Sequence, residues 1–192
     1  MTKIFDPKLS LFVSIGIVAI SYSNSLQLQN LGAILVFLVI AIDVLEKLFI
    51  NHKQNNSASQ QLMNREMIIS LAAYWLMSKV NPELDKKIEF LFWGFFILEI
   101  ALQFFVVKKF KQPLQFRPVS VYTANHILNC CFAMVILLPI QTQVFYWVFV
   151  LLFIGNIESI VIVYLLPFWK DDIKWVGDAL KIRNEYKKYL KR

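Results

Sequence analysis

Charge is scarce in this chain. Only 17% of its 192 residues are Asp, Glu, Lys or Arg, whereas an ordinary soluble domain carries ~25%. Cysteine is nearly absent, and the two present, Cys130 and Cys131, are neighbours, a spacing that bridges only with strain. A disulfide-stapled secreted scaffold is therefore excluded. Five Gly and six Pro are too few for collagen-like or low-complexity material. No Gly-rich phosphate loop, no G-x-S-x-G and no Cys/His cluster of zinc spacing occurs. What the chain has instead is apolar bulk: 58% hydrophobic residues and a mean hydropathy of +0.56. So much apolar surface cannot be hidden inside a water-soluble core of this size, and most of it must face lipid.

Six apolar segments are separated by polar breaks. Leu31–Ile50, Ile88–Val107 and Val144–Phe168 each approach or exceed the ~20 residues that cross ~30 Å of hydrocarbon. Ile127–Ile140 is shorter and can extend back through Val121. Leu9–Tyr22 and Met67–Val80 are also short, and the first could lengthen through Ser23–Leu28 if its polar groups face other helices. Basic residues collect on the cytoplasmic side of membrane proteins. With both termini inside, 17 of the 20 Lys and Arg fall inside, and only Lys79, Lys86 and Lys87 lie outside. The expected fold is all-α and polytopic: a six-helix transmembrane bundle over residues 1–168, both ends cytoplasmic, in a bacterial inner membrane. No A-x-A cleavage site follows Ile20, so the first segment is expected to be a retained helix.

Residues 169–192 form a basic tail. Ile173, Val176, Leu180 and Tyr186 recur at near-helical spacing beside Trp169 and Trp175, the pattern of an amphipathic helix lying in the cytoplasmic interface. The formal charge of +7 is expected to form a belt attracted to anionic lipid. A nucleic-acid role is not expected, because the basic residues are scattered over loops without a recognition motif.

Ionisable groups at membrane depth cost ~2.5–3.5 kcal/mol at mid-helix, so each needs a reason. Asp43, Glu46, Lys47 and Ile50 share a stripe about 100° wide on the second segment, and Asp43 and Lys47 form an i,i+4 acid–base pair. Glu99 and Glu158 lie within the fourth and sixth segments. They are expected to hydrogen-bond across helices, with Asn156, His126 and Asn129 as candidate partners. Cys130 and Cys131 are read as small packing residues, and His126 as a packing or interfacial residue.

The stripe on the second segment resembles the signature of the CDP-alcohol phosphatidyltransferases, D-x-x-D-G-x-x-A-R-x8-G-x3-D-x3-D. Set from Asp43, it falls on Asp43, Glu46, Lys47, Ile50, Asn51, Gln60, Asn64 and Ile68. Its placement, from the inner end of the second span across a cytoplasmic loop to the third, is similar to that family's. Only Asp43 is identical; Glu46 keeps a carboxylate and Asn64 an uncharged oxygen. Asn156–Glu158, the run to Pro167, Trp169, Asp171–Asp172, Asp178–Arg183 and Lys108–Val121 resemble the later part of a bacterial branch of the family.

The resemblance implies a fold, a homodimer and a place in phospholipid biosynthesis. In the family, four Asp hold two divalent cations against the CDP diphosphate, and the last Asp is the base. Two Mg²⁺ about 3.5–4 Å apart require several charged oxygens. Here Asp43 and Glu46 supply two and Asn64 a neutral one, while Ile68, at the base position, cannot take a proton. Lys47 replaces the Gly of close approach, and Asn51 the Arg. The expectation is a degenerate, non-catalytic member that binds lipid or a partner and needs no cofactor. One alternative is an active transferase using Mg²⁺ or Mn²⁺, rewired through Glu66, Glu99 or Glu158. Another is an unrelated small transporter or assembly factor, against which stands the lack of paired broken helices in two halves.

Overall fold

The computed structural model describes residues 7–23, 25–49, 56–111, 118–138, 140–168, 170 and 173–190, with side chains left aside at 7–11, 43, 46–49 and 56–65. All regular structure among them is helical. The order is α1 (Pro7–Ser21), α2 (Leu26–Phe49), α3 (Asn56–Val80), α4 (Pro82–Phe110), α5 (Val119–Leu137), α6 (Thr142–Leu165) and α7 (Val176–Tyr189). Every apolar segment of the sequence lies largely within one helix.

Three helices, α4, α5 and α6, are long and apolar enough to cross a membrane among the described residues. The chain is accordingly a membrane protein. Helix α1 and the apolar run Leu26–Ile42 of α2 are shorter. Helix α3 is long but begins with the polar stretch Asn56–Glu66, which hydropathy alone had left out of the third segment. The proposed lengthening of the first segment through Ser23–Leu28 does not occur. Helix α1 stops at Ser21, the Ser23 hydroxyl accepts from the Ser25 amide at 3.1 Å, and Leu26–Leu28 already belong to α2. A short side-chain turn reverses the chain there.

The α3–α4 junction is a single residue. Asn81 caps α4, its carboxamide oxygen accepting from the Leu84 amide at 3.1 Å, and Pro82 begins the helix where no amide is needed. Glu83 and Asp85 in the first turn and Lys108 and Lys109 in the last suit the helix dipole, and Lys111 closes the end in the left-handed conformation at φ 58°.

Helices α3 and α5 form the centre of the bundle. Helix α3 packs on α1, α2, α4 and α5, and α5 on α2, α3 and α6. An aromatic spine joins four helices: Tyr74 stacks on Phe92 at 3.7 Å between ring centres, both meet Phe132 edge-on, and Phe132 stacks on Phe145 at 5.6 Å. The aromatic residues of α4 divide accordingly. Phe92 and Phe95 are buried in the bundle, Phe96 is half-buried, and Phe90, Trp93, Phe104 and Phe105 face outward.

Gly155 lets α6 approach α5 closely, because a Cβ there would lie 2.7 Å from Val121 Cγ2 and 3.1 Å from the Val121 amide nitrogen. A second core holds the far end of the bundle, where Leu102, Val106, Ile162, Val163 and Leu166 meet Ile173, Ala179 and Ile182. The tail helix thus docks on the bundle. Its covered stripe runs through Ile173, Val176, Ala179 and Ile182, whereas Leu180 and Tyr186, expected on the apolar face, are exposed. Trp169, Asp171 and Asp172 lie outside the described residues.

Candidate functional site

The stretch that resembles the phosphatidyltransferase signature runs from the last turns of α2 into α3, two helices that pack together. Asp43, Glu46 and Lys47 sit on helical backbone in α2, as do Gln60 and Asn64 in α3; their side chains lie outside the described residues, and so do Ile50 and Asn51 altogether. Ile68, at the family's base position, is described. It is half-buried on the wall of a groove between α1, α3 and α4, opposite Ser14, Ile15 and Val18.

Glu66 is buried, at 2% exposure. Two residues separate by about 200° around a helix, so Glu66 and Ile68 leave α3 on nearly opposite sides. Glu66 shares its side with Ser70, one turn later. The Ser70 hydroxyl lies 2.8 Å from the Glu66 carbonyl and 3.2 Å from the Asn125 carboxamide oxygen, and it accepts from the Asn129 amide at 3.1 Å. Glu99 on α4 is equally buried. It lines a cavity of about 10 Å³ together with Met67, Ser70, Phe95, Phe96 and Asn125. That volume is room for one water molecule. The bundle centre therefore holds two carboxyl groups, two carboxamides and a hydroxyl drawn from α3, α4 and α5.

The other polar candidates separate from this network. Glu158 is half-buried and accepts from the Ser120 hydroxyl at 2.5 Å, joining α6 to the start of α5. Its partner is thus none of Asn156, His126 and Asn129. The Asn156 amide donates to the Leu152 carbonyl of its own helix at 3.0 Å. His126 is buried beside the Tyr122 ring, with centres 4.1 Å apart. Cys130 and Cys131 are free thiols, half-buried and buried, as packing residues should be.

Two members of the network, Ser70 and Asn125, escaped the sequence reading. A signal was present: Glu66 and Ser70, and likewise Asn125 and Asn129, are polar pairs at i,i+4, each presenting one polar patch to a neighbouring helix. Among the described residues, no group of three His, Cys, Asp or Glu side chains is placed to hold a metal ion. The carboxyls at Glu66, Glu99 and Glu158 do not converge on Ile68: two sit in or beside the α3–α5 network and the third pairs with α5. Comparison with protein-family models, with curated proteins and with solved structures finds no match for the chain.

Proposed function

We propose that this chain is a non-catalytic, CDP-alcohol phosphatidyltransferase-like membrane protein that holds a lipid or a partner protein without converting it. It is read as a six-span bundle of a bacterial inner membrane, with both ends in the cytoplasm. The short helix α1, α2 with its shorter apolar run and the polar-ended α3 accompany the three strongly apolar ones. The docked α7 lies along the cytoplasmic interface, where its outward Trp175, Leu180, Tyr186 and Tyr189 meet headgroups. The observation that carries this reading is the setting of Ile68. At the position where the family keeps its base, this chain has an aliphatic side chain against an apolar groove, and among the described residues no buried acid lines that groove.

Two juxtaposed divalent ions need more negative oxygen than Asp43, Glu46 and the neutral Asn64 provide. The purified protein, given CDP-diacylglycerol, Mg²⁺ or Mn²⁺ and a panel of alcohols, is expected to release no CMP. Release that disappears in Asp43→Ala would overturn the proposal.

A further inference from the structure

The groove that receives Ile68 runs along α1 from Ser14 to Tyr22 and is floored by Leu71 and Trp75 of α3, with Trp93 of α4 as its far wall. Its volume is about 420 Å³, within the ~300–1,000 Å³ of small-molecule sites. Apart from Ser14, its lining is aliphatic and aromatic, which suits extended hydrocarbon.

Its walls are fixed. Tyr74 stacks on Phe92 and donates its hydroxyl proton to Asp85 at 2.5 Å, while Trp93 packs edge-on against Tyr74, Phe92 and Phe96. At the end next to the α3–α4 turn, the exposed Lys79 ammonium sits 5.6 Å from the Tyr22 ring centre and 5.2 Å from that of Trp75. Aromatic rings of this kind settle at headgroup depth, and a cation resting on ring faces keeps hydrogen-bond donors for an anion.

We infer that the groove between α1, α3 and α4 binds one anionic phospholipid from the leaflet facing the α3–α4 turn, an acyl chain lying along Ser14–Tyr22 and the phosphate on Lys79. This names a ligand class for the lipid-binding reading above and rests on it, but not on the fate of the metal site.

The test is native mass spectrometry of the full chain, extracted in mild detergent and offered phosphatidylglycerol or phosphatidylcholine with identical acyl chains. One bound phosphatidylglycerol is expected, favoured about five-fold, the equivalent of ~1 kcal/mol from one basic residue. Lys79→Gln should abolish the preference, and Val18→Trp should displace both lipids. The unaltered protein supplies a second measurement: a photoreactive group at mid-chain of phosphatidylglycerol should label Ile68 or Leu71. Equal retention of both lipids by the wild type, or labelling confined to other helices, would overturn the inference. Cross-linking of two copies through cysteines placed at Ile15 and Trp93 would do the same and assign the groove to a subunit contact. CMP release by the same preparation would overturn the non-catalytic reading and leave the lipid result standing.

Discussion

The Lys109 ammonium near the end of α4 donates to the Val163 carbonyl of α6 at 2.6 Å, and to the carbonyls of Tyr164 and Leu166 at 3.2 and 3.1 Å. The last carbonyls of a helix have no partner within it, and a cation there also meets the negative end of the helix dipole. Lys109 thereby fastens α4 to α6 where α7 docks. Replacement by Met removes all three bonds and should destabilise the protein by ~1.5–3 kcal/mol, the range for hydrogen bonds to charged groups. Thermal unfolding in detergent measures this. Lys109→Arg keeps the charge and should lose less; equal losses would show that the cation has no capping role.

Gly155 makes a second prediction. A methyl group at this position would collide with Val121, including its backbone, so α5 and α6 must separate to admit it. Gly155→Ala is expected to cost ~1–3 kcal/mol, as overpacking generally does, and Gly155→Val more. Gly94 has nothing within 4 Å of its position, and Gly94→Ala should be neutral or slightly stabilising in the same unfolding assay.

The interior network allows a double-mutant cycle. Ser70→Ala strands the groups of Asn125 and Asn129 that now meet its hydroxyl. The coupling between Ser70 and Asn129 should be ~0.6 kcal/mol, with ~1.7 as the upper bound seen for hydrogen bonds between membrane helices. Additive effects of Ser70→Ala and Asn129→Ala would place the two side chains out of contact.

The arrangement in the membrane is testable by labelling. In a background with Cys130 and Cys131 replaced by Ala, a cysteine at Lys86 should react with an impermeant maleimide from outside the cell. One at Lys188 should react only after the membrane is opened. Labelling of both from the same side would refute the three spans, α4, α5 and α6, placed between them.

Much of this architecture was readable from apolar runs, because a lipid-facing helix must be apolar along its length. Ile88–Val107 and Val144–Phe168 lie within or nearly coincide with α4 and α6. Where polarity changes along one helix the reading stopped early, as with Asn56–Glu66 of α3, since hydropathy locates lipid and not helix. The tail shows a related limit. Periodicity identified a helix, but the side it buries was set by Ala179 and Ile182 meeting α6, a choice that depends on the partner surface. The polar pairings were the least legible. Ser70 with Asn125 and Asn129, and Ser120 with Glu158, join residues 38 to 59 positions apart, and only packing brings them together. Of the signature-like stretch, the sequence disclosed the order and the helices; the structure adds that Ile68 and Glu66 lie on different sides of α3.

The most direct test counts manganese. Electron paramagnetic resonance of the purified protein, titrated with Mn²⁺ in the presence of CDP, should show no spin-coupled pair and fewer than two ions bound per chain. A coupled pair that is lost in Asp43→Ala would contradict the account.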